Sequence, residues 1–199
     1  MLSFHNLPMI ILTILIYIPI FIKLKNNKAS IEKHIIILSF YVYLVKIVDV
    51  AFFPIFLHGG FKGTVQFNLI PLHAIINDIS KFSCNVGGWL IIRPLVFNLL
   101  MFIPMGYLLP FVSRKISTLG KVALISFGTS LTIEILQLII SLLYGFTFRY
   151  ANVDDVIVNT CGSVIGFIML KLTFPLLKKY INIDLGHLSF SCLNKSKID

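Results

Sequence analysis

Charge is scarce in this chain. Asp, Glu, Lys and Arg make up 13% of its 199 residues, about half of the ~25% usual in soluble domains. There are three cysteines, Cys84, Cys161 and Cys192, and no two form a C-x-x-C pair. Zinc-ribbon and thioredoxin-like readings are therefore excluded. His5, His34, His58, His73 and His187 have no metal-ligand spacing, and His73 near Asp78 is one histidine and one carboxylate. No serine sits in a G-x-S-x-G elbow, and no glycine loop could cradle a phosphate. We expect no metal and no cofactor, and the chain offers no obvious nucleophile.

What the sequence has instead is hydrophobic length. Hydrophobic residues are 57% of the chain and the mean hydropathy is +0.94, which places it in the membrane class. Five apolar segments are visible, at about 7–24, 34–57, 94–113, 119–144 and 153–177. Each is near the ~20 residues that span a bilayer as a helix. The expected fold is all-α: a bundle of about five transmembrane helices in one domain, residues 1–180, with a polar tail at 181–199. The first segment has neither a basic leader nor a small-residue cleavage site, so it does not resemble a signal peptide. Pro94 suits the first position of the third helix, and Pro104 is expected to kink it.

The net charge of +9 would point to nucleic acid in a soluble protein. Here the basic residues are dispersed between apolar runs and no nucleic-acid-binding motif is present, so they are assigned to topology and anionic lipid. Loops 1–2 and 3–4 and the tail together carry eleven Lys and Arg, against four on the opposite side: Lys62, Lys81, Arg93 and Arg149. The positive-inside rule then predicts an outside N-terminus and a cytoplasmic C-terminus. On that topology the cysteines share no oxidising compartment, and no disulfide is expected.

The one long connection, 58–93, is on the outer side. Residues 67–79 are too apolar for a plain linker and too short to span, so an interfacial helix or re-entrant turn is expected there. Residues 82–88 read as a flexible link.

Polar residues inside the spans carry the functional signal. Asp155, Asn159, Gly162 and Gly166 lie on one face of the fifth segment. The glycines narrow that face for a close neighbour. Glu134 and Gln137 share a face of the fourth segment, and Asn98 lies in the third. An ionisable group in hydrocarbon costs about 2.5–3.5 kcal/mol on insertion scales. Depth along each helix lets Arg93, Asn98, Glu134, Gln137, Arg149, Asp154, Asp155 and Asn159 converge in the outer half of the bundle as a polar cavity. Glu134 has no opposite charge at i±3 or i±4, so Arg149 or Arg93 is its expected partner. The blander readings are helix-to-helix hydrogen bonds for the asparagines, an N-cap for Asp154, interfacial anchoring for the arginines, and mutual neutralisation for Lys46 and Asp49.

Taken in order, Phe67-Asn68-Leu69-Ile70-Pro71, Asn98-x3-Phe102-x-Pro104-x-Gly106, Glu134-x2-Gln137 and Arg149-x4-Asp154-Asp155-x3-Asn159-x2-Gly162-x3-Gly166 resemble the VanZ-like family over about residues 40–175. Asn152 departs from the resemblance, because an Asp is frequent there. The resemblance implies a bacterial multi-pass membrane protein associated with teicoplanin resistance. Its partners would be membrane lipids and a lipid-linked cell-wall precursor or lipoglycopeptide. The richness in Ile, Lys, Asn and Phe fits an AT-rich, low-GC Gram-positive genome. Two other functions compete: an intramembrane enzyme with Glu134, Asp154 and Asp155 as candidate catalytic groups, the aspartates holding a divalent cation, and a small transporter relaying protons through Glu134 and Asp49.

Overall fold

The computed structural model describes residues 7–27, 29–53, 63–82, 86–113 and 115–180. It is an all-α bundle with one minimal strand pair. In chain order the elements are α1 (Leu7–Asn26), α2 (Ile31–Phe52), β1 (Phe67–Asn68), α3 (His73–Ser80), α4 (Val86–Val112), α5 (Leu119–Tyr144), β2 (Ala151–Asn152) and α6 (Val153–Tyr180). Among the described residues, four helices are long and apolar enough to cross a membrane: Ile31–Phe52, Gly87–Val112, Leu119–Tyr144 and Val153–Leu176. The 20 residues of α1 rise about 30 Å, the thickness of the hydrocarbon core.

Local chemistry sets the helix ends. Ser30 and Thr118 cap α2 and α5 by accepting from the backbone N–H of Lys33 and Lys121. Gly145, with φ +72°, closes α5 in the left-handed conformation that glycine adopts freely. The second helix ends at Phe52, earlier than the apolar run, because Phe53 precedes Pro54 and is held extended.

Helix α4, the third of the long apolar segments after α1 and α2, departs most from expectation. It begins at Val86, so Val86–Gly88 belong to it and not to a link, and Pro94 lies two turns inside it. Prolines are tolerated in membrane helices where neighbours satisfy the freed carbonyls. The apolar stretch between the second and third spans contains a short helix, α3, packed against α4 and α6.

The tightest seam joins α4 and α6. A Cβ at Gly162 would lie 2.1 Å from the Leu99 carbonyl oxygen, and one at Gly166 2.0 Å from that of Ile103. A Cβ at Gly106 would lie 1.8 Å from the carbonyl oxygen of Ser163. Backbone therefore meets backbone at three points along this pair. Two apolar clusters complete the core. Ile47, Ala51, Phe102, Met105 and Ile133 join α2, α4 and α5, and Val122, Phe167 and Leu170 join α5 and α6. The termini of the chain, the 54–62 stretch, Cys84, Cys192, Lys28, Lys62 and Arg114 lie outside the described residues, as does the tail at 181–199.

Candidate functional site

Most of the polar residues picked out in the sequence meet at one end of the bundle, where α2 ends, α4 and α6 begin and α5 ends. Helix termini leave N–H and C=O groups without intrahelical partners. In a membrane each such group must be satisfied by protein. Much of the charge here does that work.

Asp154 is buried and accepts backbone N–H groups from Leu72, Ala74 and Ile75, the last two at 2.8 and 3.1 Å. It therefore caps the N-terminus of α3, a helix some 80 residues earlier, and favours it through the helix dipole. It is not the cap of its own helix. That role belongs to Asn152, whose Oδ1 accepts from the Asp154 N–H at 3.1 Å.

Arg149 does the opposite task. One of its guanidinium nitrogens donates to the carbonyls of Val50 and Phe53 at 3.2 and 3.0 Å, placing a cation on the C-terminal end of α2. Gln137 supports the same end by donating to the Ala51 carbonyl at 3.0 Å. No ion pair joins Arg149 or Arg93 to Glu134 among the described residues. Arg93 is exposed and lies over the Phe97 ring, 5.1 Å from its centroid. Lys46 and Asp49 pair with each other at 3.1 Å.

Once the caps are accounted for, a smaller centre is left. Glu134, 8% exposed, accepts the backbone N–H of Asn152 at 2.9 Å. Asp155, half-buried, accepts from the Asn152 amide at 3.1 Å and is hydrogen-bonded by Asn98. The two carboxylates lie within electrostatic range of each other, and Asp78 of α3 is close enough to act on Asp155. One turn deeper, Asn159 donates to Ser130 at 2.8 Å, and its buried Oδ1 has no hydrogen-bond partner among the described residues. Helices α4, α5 and α6 all contribute to this centre.

Sequence reasoning missed the residues that organise it. Asn152 bonds to Glu134, Asp154, Asp155 and Asn68 at once. The Asn68 bond, at 2.9 Å, and the parallel β1–β2 pair stitch the segment before α3 to the start of α6. Ser141 holds the 148–149 turn, accepting from the Phe148 N–H at 3.1 Å. A signal for the serines existed. Ser126, Ser130, Glu134, Gln137 and Ser141 are all buried and recur every three or four residues along α5, as one helix face must.

Chemically, the centre offers two acidic groups and three side-chain amides, those of Asn98, Asn152 and Asn159, with no cation among the described residues. Those residues also contain no group of three or more His, Cys, Asp or Glu arranged to hold a metal. Both Asp154 oxygens accept α3 amides, which turns that carboxylate toward α3.

The VanZ/LLP1 family matches residues 9–174, which include every residue of the site. The chain belongs to the VanZ/LLP1 family. It is a multi-pass membrane protein. Protein VanZ of Enterococcus faecium is 38% identical over 121 residues, covering 59% of this chain and 66% of the relative. The match thus spans just under two thirds of that protein's length. No solved structure matches.

Proposed function

We propose that this VanZ/LLP1 protein lowers susceptibility to lipid-anchored glycopeptides of the teicoplanin type, acting through a polar site that opens on the outer face. Its working centre is Glu134 and Asp155, with Asn98 and Asn159 beside them. One observation carries this reading. The other charged motif residues are committed to helix ends, whereas these two carboxylates are both bonded to Asn152 and act on each other electrostatically, with no counter-charge among the described residues. Two such groups, desolvated, favour a cationic or hydroxyl-rich ligand. Asp155 is the accessible member and Glu134 the deep one. Arg93, exposed on α4, supplies the contact for a phosphate or carboxylate. The basic asymmetry of the loops orients this end outward, toward lipid-linked precursors and the drugs that bind them.

Substitutions that remove charge and keep shape test the reading. In Glu134→Gln the amide oxygen still accepts the Asn152 N–H, so the fold is retained. Asp155→Asn likewise keeps one acceptor. In a host made tolerant by this gene, both variants are expected to accumulate near the wild-type level and to lose teicoplanin tolerance. Full tolerance in both variants would refute the proposal and leave the carboxylates as packing elements.

A further inference from the structure

A second feature lies at the opposite end of the bundle, away from the polar centre. Helices α1 and α2 line there, with Val112 at the end of α4, an open groove of about 440 Å³. The α2 wall is Lys33, Ile37, Phe40, Tyr41 and Leu44, a single helix face by its spacing. From α1 come Ile20, Lys23, Leu24 and Asn27, again on one face. The interior is aliphatic and aromatic. Tyr41 adds no free polar group to it, because its hydroxyl is committed to the Thr13 carbonyl at 2.6 Å.

The polar groups are confined to the mouth. Lys23 sits in the last turn of α1, Asn27 just beyond it and Lys33 in the first turn of α2. Both lysines are exposed, and neither ammonium meets a carboxylate among the described residues. From Lys33 to Leu44 the groove extends eleven residues along α2, about 16 Å. That is roughly half of a ~30 Å hydrocarbon core, the depth of one leaflet.

We propose that this groove binds one anionic phospholipid. Its phosphate lies between Lys23 and Lys33, and one acyl chain runs along Ile37, Phe40 and Leu44. Charge complementarity at the mouth and single-leaflet depth select this occupant over a zwitterionic lipid, which brings its own cation to the lysines. The proposal is independent of the site formed by Glu134 and Asp155.

The test uses the purified full chain, reconstituted into nanodiscs of phosphatidylcholine containing a minor fraction of phosphatidylglycerol. Lipid retained by the protein is measured by mass spectrometry. The wild type is expected to retain phosphatidylglycerol above its fraction in the disc. Lys23→Ala with Lys33→Ala should return retention to that fraction. Ile37→Trp, which fills the groove and keeps both lysines, should do the same. Lys25→Ala, at the same end but outside the groove, should leave the enrichment intact. Excess glycerol phosphate should not compete, because the headgroup alone lacks the chain. Enrichment that survives the double lysine variant or Ile37→Trp would overturn the proposal, as would equal loss in Lys25→Ala or competition by free glycerol phosphate. Crosslinking between two copies through Ile37→Cys, without lipid enrichment, would assign the groove to a second protomer and also overturn it.

Discussion

The α4–α6 seam permits a sharp test, because the obstacle to a side chain there is backbone. A methyl group added at Gly162 or Gly166 would begin 2.1 or 2.0 Å from a carbonyl oxygen. Real Cβ contacts stop near 3.0 Å, so the helices must separate by about 1 Å. No rotamer change relieves this. Overpacking of this kind costs about 1–3 kcal/mol, against a gain of about 1 kcal/mol from replacing glycine by alanine in a helix. Two sites together should lose roughly 2 kcal/mol net by these terms. The same chain carries its own control. A Cβ at Gly128, in the middle of α5, meets nothing within 4 Å, so Gly128→Ala should be neutral or slightly stabilising. Unfolding of purified protein in detergent, followed by loss of helical signal on heating, is the assay. We expect the midpoint of Gly162→Ala with Gly166→Ala to fall well below wild type and that of Gly128→Ala to hold or rise. Separation of α4 from α6 should also draw Asn98 away from Asp155, so antibiotic tolerance should fall with the seam variant and not with the control. A double variant as stable as wild type would refute the close-packing argument outright.

Other outcomes follow from the caps. Asp154→Ala strips three N–H groups of a charged acceptor and should destabilise the α3 segment by about 3 kcal/mol or more, since bonds to charged groups are worth about 1.5–3 kcal/mol each. Faster hydrogen exchange at Leu72, Ala74 and Ile75 would show it, and unchanged exchange would contradict the cap. Arg149→Ala should lower protein level and tolerance together by removing the cation that donates to two carbonyls at the end of α2, in contrast to Glu134→Gln, and quantitative immunoblotting separates the two patterns. For orientation, Lys81→Cys should react with an impermeant thiol reagent on intact cells and Lys115→Cys should not. The reverse pattern would invert the proposed topology.

The fold was largely legible because membrane helices declare themselves by length and by their caps. Thr118 and Gly145 bound α5 at the residues where the apolar pattern starts and stops. The start of α4 was hidden, since Gly87, Gly88 and Pro94 read as breakers while tertiary packing and the membrane keep the helix intact. Which polar residues lie at the site's end of the bundle could be read from depth and periodicity. Which group bonds to which could not. A search for opposite charge assigns Arg149 to Glu134, but the guanidinium goes to orphan carbonyls 96 and 99 residues away in sequence. Those carbonyls are invisible until the end of α2 is placed. Asn152 looked like a deficit, a missing carboxylate, yet its amide donates and accepts at once. A carboxylate there could not donate to Asp155 unless protonated.

The cap supplied by Asp154 also sets a schedule for biogenesis. The amide of Leu72 and its acceptor are 82 residues apart in sequence. At about 5–20 residues per second of synthesis, roughly 4–16 s separate the emergence of the two partners. Until α6 is inserted, the segment that becomes α3 has no carboxylate to organise its first turn, and β1 has no neighbour. The α3 segment therefore lacks its native cap until α6 has been made. A ribosome halted before residue 154 would leave the first turn of α3 without its charged acceptor.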